Sequence, residues 1–371
     1  MAPSSRKCLA LAAMAVTAAA IPVNERSTEQ RDGIVYDVFK HAETRSKLSF
    51  IKNSGICETT PGVNQYSGYL SVREDAHMWF WFFESRKDPR TAPLVSWFGG
   101  GPGNSAQYGM FTQNGPCEIK ANSTEPTLRE HSVNSYANAL YIDQPIGAGF
   151  SFGNGGQVNS TKDCSPYVWN FFQAWFAAFP EYDNRDLAVF TESYGGHTGP
   201  EIVNYVLYKN IEIEKGDVNG TNINVVALSA SNAWFDAGIQ ERANLEFALE
   251  NPYRPLINES LYRSLSEEYD ATVVDRLERC NKTGTTNDCF SAYQSYFQGL
   301  EMPVMESALE KYPDWIMADI RPGGLRPPTN HIEYLQRADI QKAIGARVNY
   351  TDGGAASGLI MSGDGKFPSA K

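Results

Sequence analysis

Residues 66–72 (YSGYLSV) and 78–83 (MWFWFF) are apolar runs flanking a charged triplet, Arg73-Glu74-Asp75, and this pattern predicts a β-hairpin. Residues 93–98 (PLVSWF) predict a buried strand that runs straight into Gly99-Gly100-Gly101-Pro102-Gly103. A shorter apolar run, 139–142, predicts a strand ending in Asp143-Gln144-Pro145. Ser165-Pro166 reads as an N-cap and first-turn pair, so a helix is expected through Trp169, Phe172, Trp175 and Phe179, stopped by Pro180. Residues 187–190 and 224–229 predict two more strands. Strands alternating with helices imply a doubly wound, mostly parallel α/β sheet. From about residue 237 to 339, helical periodicity and polar loops replace that alternation, which predicts a helical cap inserted into the sheet domain. The expected division is a first part of the core over 21–236, the cap over 237–340 and an incomplete return to the core over 341–371.

Composition narrows the class. The 371 residues are 42% hydrophobic, enough for a full core, and the net charge of −11 argues against a nucleic-acid surface. Arg6 and Lys7 precede an apolar run over 8–20 that is too short to span a bilayer and ends in three alanines, so 1–20 reads as a secretory signal peptide. No later run is long and apolar enough for a membrane span, and no membrane partner is expected. Cys280 and Cys289 bracket a polar loop and are expected to pair, while Cys57, Cys117 and Cys164 are left without assigned partners. That spacing does not suit zinc, so neither a metal nor another cofactor is expected. Acceptor sequences for N-glycosylation begin at Asn122, Asn159, Asn219, Asn258, Asn281 and Asn349, and a secreted glycoprotein is expected.

Residues 186–196 (DLAVFTESYGG) carry the chemistry. A short apolar strand ends in a tight turn bearing Ser193, with a helix-compatible stretch behind it: the layout of a nucleophile elbow, in which Thr191 stands where the usual G-x-S-x-G pattern has its first glycine. Alone, the pattern suits a surface-turn serine as well as a nucleophile. The glycine run at 99–103 shifts the balance, because glycines after a buried strand let backbone N–H groups approach an oxyanion. A phosphate loop would need a Lys-Ser/Thr ending, which is absent.

Five ordered blocks carry a family resemblance: QYSGYL at 65–70, WFGGGPGNS at 97–105, YIDQPIGAGFS at 141–151, FPEYDNRDLAVFTESYGGHTGPE at 179–201 and YLQRADIQKAIG at 334–345. The chain resembles the secreted and vacuolar serine carboxypeptidases of fungi, which have the α/β-hydrolase fold. The resemblance implies Ser193 as nucleophile and the N–H groups of Gly101 and Tyr194 as the oxyanion hole. Glu192 would hold the terminal carboxylate of a peptide substrate, and must be protonated to do so, which implies a preference for acidic pH. It also implies secretion, with the vacuole as alternative.

Three departures follow from the same comparison. The family's asparagine after Trp-Phe is Gly99, and its glutamate in the Phe-x-Glu-x-Gly-Pro block is Gln113, which donates without needing a proton. Loss of the asparagine donor is expected to cost roughly 1.5–3 kcal/mol of carboxylate binding, and Gly99→Asn to restore it. The third concerns the Asp and His that should follow Ser193. His197 reads as structural, His331 precedes the place of the family's base, and Asp364 reads as a loop residue. The sequence therefore implies a chain that stops short of both partners and of the last strands, leaving an uncovered sheet edge. An incomplete reading frame is the favoured explanation, ahead of an inactive homologue. The rival functions are an acyltransferase or esterase on the same scaffold, and a non-catalytic relic.

Overall fold

The computed structural model describes residues 23–154 and 158–353. The signal segment and Asp364 lie outside the described residues.

Among the described residues twelve strands form: β1 (Glu25–Arg31), β2 (Ile34–Lys40), β3 (Lys47–Lys52), β4 (Gln65–Arg73), β5 (Ala76–Phe83), β6 (Leu94–Phe98), β7 (Cys117–Glu118), β8 (Thr127–Leu128), β9 (Asn138–Asp143), β10 (Phe152–Gly153), β11 (Leu187–Glu192) and β12 (Val225–Ser231). All but β7 and β8 join one ten-stranded sheet in the order β1-β2-β3-β4-β5-β9-β6-β11-β12, with β10 on β5. The sheet is mixed. Strands β1 to β5 run antiparallel as far as the β5–β9 pair, and β9, β6, β11 and β12 run parallel.

The unbroken apolar run in β5 has a simple cause. Side chains alternate between the two faces of a strand, and here both faces are covered. Phe80 and Phe82 pack beneath α2 (Thr161–Ala178), following α1 (Ala106–Gly109) in the chain, and beside α3 (Gly195–Lys215). Trp79, Trp81 and Phe83 face the other way, toward Met110, Phe111 and Tyr141.

Two local readings need correction. Strands β1 to β3 have no counterpart in the expected pattern: β1 (ERSTEQR) is a polar edge strand with both faces largely exposed, whereas β2 (IVYDVFK) and β3 (KLSFIK) do carry the buried apolar positions of strands. The signal for β1 was the turn Asp32-Gly33, both residues at positive φ (52° and 76°), as a two-residue hairpin demands. Helix α2 does not start at Ser165. It starts at Thr161, where the Ser160 side chain accepts from the Asp163 N–H, and Pro166 lies inside the helix. Ser165 could open the helix only if nothing upstream capped it, and Ser160 does.

Beyond β12 come α4 (Ala237–Leu249), α5 (Glu259–Glu268), α6 (Val274–Thr283), α7 (Thr286–Tyr296) and α8 (Met302–Lys311). They share their own apolar clusters, and the Cys280–Cys289 disulfide ties α6 to α7. A second disulfide, Cys57–Cys117, joins two of the unassigned cysteines, and Cys164 is buried outside both bridges. The short helices α9 (Asn330–Gln336) and α10 (Ala338–Ile344) return to the sheet, where Tyr334, Leu335, Ile340 and Ile344 pack with Trp81 and Trp97. Among the described residues β12 pairs only with β11, and Val226 and Leu228 on it are exposed.

Within the helical block, Glu241 on α4 is 2% exposed and hydrogen-bonded to Glu301. Burial, and then repulsion from Glu301, pushes the Glu241 pKa up to about 9, and burial raises that of Glu301 against the hydrogen bond from Glu241. A raised carboxyl pKa gives stability that is complete below the unfolded value and is lost as pH rises through the folded one. Glu241→Gln stays neutral and keeps a donor toward Glu301. It is expected to raise Tm over the parent chain at about pH 8 and to give no gain at about pH 4, as read by thermal unfolding at both.

Candidate active site

Three adjacent parallel strands deliver the site at their C-terminal ends. Strand β11 releases Ser193, β6 releases the glycine loop and β9 ends in Asp143. Crevices outside the carboxyl ends of such strands are where open α/β sheets bind ligands.

Ser193 is exposed and sits at φ +55°, in the left-handed region that a non-glycine residue rarely occupies. The turn is held by its surroundings. The Ser193 N–H donates to Ser231 O (3.1 Å), and the Trp234 N–H donates to Ser193 O (2.9 Å). Behind it α3 begins, so the positive end of the helix dipole faces the serine. Thr191 fits the place of the usual glycine because its neighbours make room: a Cβ at Gly195 would lie 2.4 Å from Thr191 Cβ, and one at Gly199 3.0 Å from Thr191 Cγ2. The Thr191 hydroxyl donates to Gly195 O (3.0 Å).

The glycine loop lies directly on this elbow. A Cβ at Gly100 would come within 2.7 Å of Glu192 O, 2.8 Å of Ser193 Cβ and 3.3 Å of Tyr194 N. Gly101 follows at φ +108°, a conformation closed to other residues. The elements expected to form an oxyanion hole are thus side by side. The loop is anchored by Asp143, which the sequence reading placed only in a motif. Its Oδ1 accepts from Ser105 Oγ (2.6 Å), the Ala106 N–H (2.9 Å) and Gln107 Nε2 (3.3 Å), and its Oδ2 from the Phe150 N–H (2.9 Å). Burial pushes the Asp143 pKa up to about 6, against these hydrogen bonds. The signal that could have found it is an acidic residue at the end of a fully apolar strand.

Glu192 and Gln113 meet: Gln113 Nε2 donates to Glu192 Oε2. Burial raises the Glu192 pKa, and the Gln113 hydrogen bond partly opposes this. Gln113 rides on a wide five-residue turn, Met110–Asn114, closed by the Gly115 N–H donating to Met110 O (3.0 Å).

The histidines lie elsewhere. His197 packs against the rings of Tyr194 (5.0 Å) and Trp234 (5.7 Å), and burial pushes its pKa down to about 4. His331 is 1% exposed and its Nε2 lies 3.4 Å from Asp352 Oδ1, which also accepts from the Tyr350 hydroxyl (2.8 Å). Among the described residues no histidine is hydrogen-bonded to Ser193. Asn122, Asn159, Asn219, Asn258, Asn281 and Asn349 are all exposed.

The surroundings of Gly99 bear against the expected gain from an asparagine there. A Cβ there would lie 2.5 Å from Asn104 O and 3.0 Å from Ser105 O, both backbone atoms of the same loop. The loop is folded around a missing side chain, so an asparagine cannot simply be restored. Gly99→Asn is expected to destabilise the chain by about 1–3 kcal/mol, as overpacking does, seen as a lower urea midpoint, without tightening carboxylate binding.

The serine carboxypeptidase family model matches residues 55–355. The chain is 48% identical over 305 residues to carboxypeptidase S1 of Penicillium janthinellum, covering 82% of this chain and 71% of that one. It is 33% identical over 294 residues to carboxypeptidase Y of Schizosaccharomyces pombe, covering 78% of this chain but only 29% of the relative. Among solved structures, the prohormone-processing carboxypeptidase of Saccharomyces cerevisiae superposes with a TM-score of 0.65 at 20% identity, over 84% of this chain and 70% of that one. That superposition shows the shared α/β-hydrolase fold. Among the described residues no helix is long and apolar enough to cross a membrane.

Proposed function

Since the chain belongs to the serine carboxypeptidase family, we propose that it is a serine-type carboxypeptidase acting on peptides, with Ser193 as nucleophile. The observation that carries this reading is the glycine loop seated on a left-handed Ser193, with the Glu192–Gln113 pair alongside. Ser193 Oγ attacks the carbonyl carbon of the last peptide bond. The developing oxyanion is met by the N–H groups of Gly101 and Tyr194, aimed before the charge forms. The C-terminal amino acid leaves as the amine, and water then cleaves the acyl-enzyme. Glu192 and Gln113 receive the terminal carboxylate, Glu192 as a neutral donor, while Gly99 contributes no side chain.

Attack needs a base. No described histidine is bonded to Ser193, and a serine without its base keeps only the residual catalysis of its oxyanion donors, on the order of 10³–10⁴ over water. Two disulfides suit an oxidising compartment, so export to the cell exterior, or to the vacuole, with glycans on exposed acceptors, belongs to the same reading. The acyltransferase or esterase reading rests on Gly99, which relaxes carboxylate capture.

A fluorophosphonate probe is expected to label the chain at Ser193 and to leave Ser193→Ala unlabelled, by mass spectrometry of the digested adduct. Equal labelling of both would sink the nucleophile assignment, and ester formation with an added alcohol without release of amino acids would favour the acyltransferase. The pH dependence has a definite sign. The Glu192 carboxyl is neutral in acid and stays so above its ordinary range, so a blocked amino acid with a free carboxylate is expected to bind most tightly in acid. Affinity falls as pH rises through the raised pKa. Glu192→Gln is expected to flatten this profile, as measured by calorimetric titration across pH.

A further inference from the structure

The turn that presents Gln113 is not completed by its own backbone. Met110–Asn114 closes one wide hydrogen-bonded turn, which leaves carbonyls at its start and just past its end to be satisfied from outside. The guanidinium of Arg129 does this. Its Nη2 donates to Phe111 O (2.8 Å), and its Nη1 donates to Gly115 O (3.1 Å) and Met110 O (3.4 Å). The side chain is 13% exposed, with Glu118 3.6 Å from Nη2 as a partial counter-charge.

Arg129 is itself held. Its carbonyl accepts from Arg86 Nη1 (2.7 Å), and Arg86 Nη2 donates to Pro116 O (2.9 Å) at the end of the same loop. Arg86 Nε donates to the buried Glu58 carboxylate (2.9 Å), next to the Cys57–Cys117 disulfide. The chain of contacts runs from this anchor through Arg129 and the turn to Gln113, then to Glu192 and the serine beside it.

We propose that Arg129 is a positioning residue for carboxylate recognition: its planar fork holds the turn in the shape that sets Gln113 on Glu192, and so sets the preference for a free terminal carboxylate over a carboxamide. A lysine at this position keeps the charge but has no fork with which to reach three divergent carbonyls. The proposal rests on the reading of Glu192 and Gln113 as the carboxylate receptor.

Binding tests it without turnover. Dissociation constants of N-blocked phenylalanine and N-blocked phenylalaninamide are measured by calorimetry in acid for the full chain, Gln113→Ala, Arg129→Met, Arg129→Lys and the Arg129→Met/Gln113→Ala double variant. The parent chain is expected to favour the acid. Gln113→Ala and Arg129→Met should each lose about tenfold of that preference, with amide binding unchanged. The double variant should lose no more than either alone, because both act on one contact. Arg129→Lys should also lose most of the preference, and it decides the matter where Arg129→Met does not fold. Full preference retained in Arg129→Lys, or equal loss of acid and amide binding in both arginine variants, would overturn the proposal. A parent chain that does not discriminate acid from amide would overturn the receptor reading itself, which is a different result.

Discussion

Backbone lies on backbone where the glycine loop meets the serine turn, and the site depends on that approach. With Gly100 less than a normal contact from Glu192 O and Ser193 Cβ once any side chain is imagined there, the two loops can share one space only because one of them has no Cβ. The register of the sheet makes the meeting possible. Strands β6 and β11 are parallel neighbours, with Phe98 opposite Thr191, so their ends release the loop and the elbow at the same height. Strand β9, on the other side of β6, brings Asp143 to the base of the loop, where four donors converge on it.

The elbow shows how a departure from a motif is absorbed. A threonine two residues before the nucleophile adds a methyl group and a hydroxyl to a crowded turn. Gly195 and Gly199 give up the corresponding volume, and the hydroxyl finds the Gly195 carbonyl. The side of the site that holds Glu192 and Gln113 is built differently, from charge and hydrogen bonds rather than close packing. Arginines 86 and 129 satisfy carbonyls that the turn around Gln113 leaves open, and the disulfide at Cys117 fixes the far end. Burial raises the pKa of Asp143, Glu192 and Glu241 alike, although hydrogen bonds oppose it at Asp143 and Glu192.

Much of this was legible in the residue pattern. The hairpin of β4 and β5, the strands β6, β9, β11 and β12, and the change to helices after Ala237 follow from apolar period and length. Ser193, the glycine loop and the Cys280–Cys289 pair were visible as motifs or local spacing. What failed did so for local reasons: β1 has almost no apolar face to announce it, and Ser160 capped α2 ahead of a more familiar Ser-Pro pair.

The sequence by itself determined the strands β4, β5, β6, β9, β11 and β12, the serine that sits in a tight turn and the residues with the chemistry to surround it, because these depend on neighbours within a few positions. The tertiary structure alone decided that Cys57 pairs with Cys117 across 60 residues, that Asp143 anchors the loop, that Arg129 reaches the turn of Gln113 and that Gly99 has no room for an asparagine. Each of these is a distance between segments far apart in the chain, set by the order and register of strands in the sheet, and no periodicity along the chain encodes it.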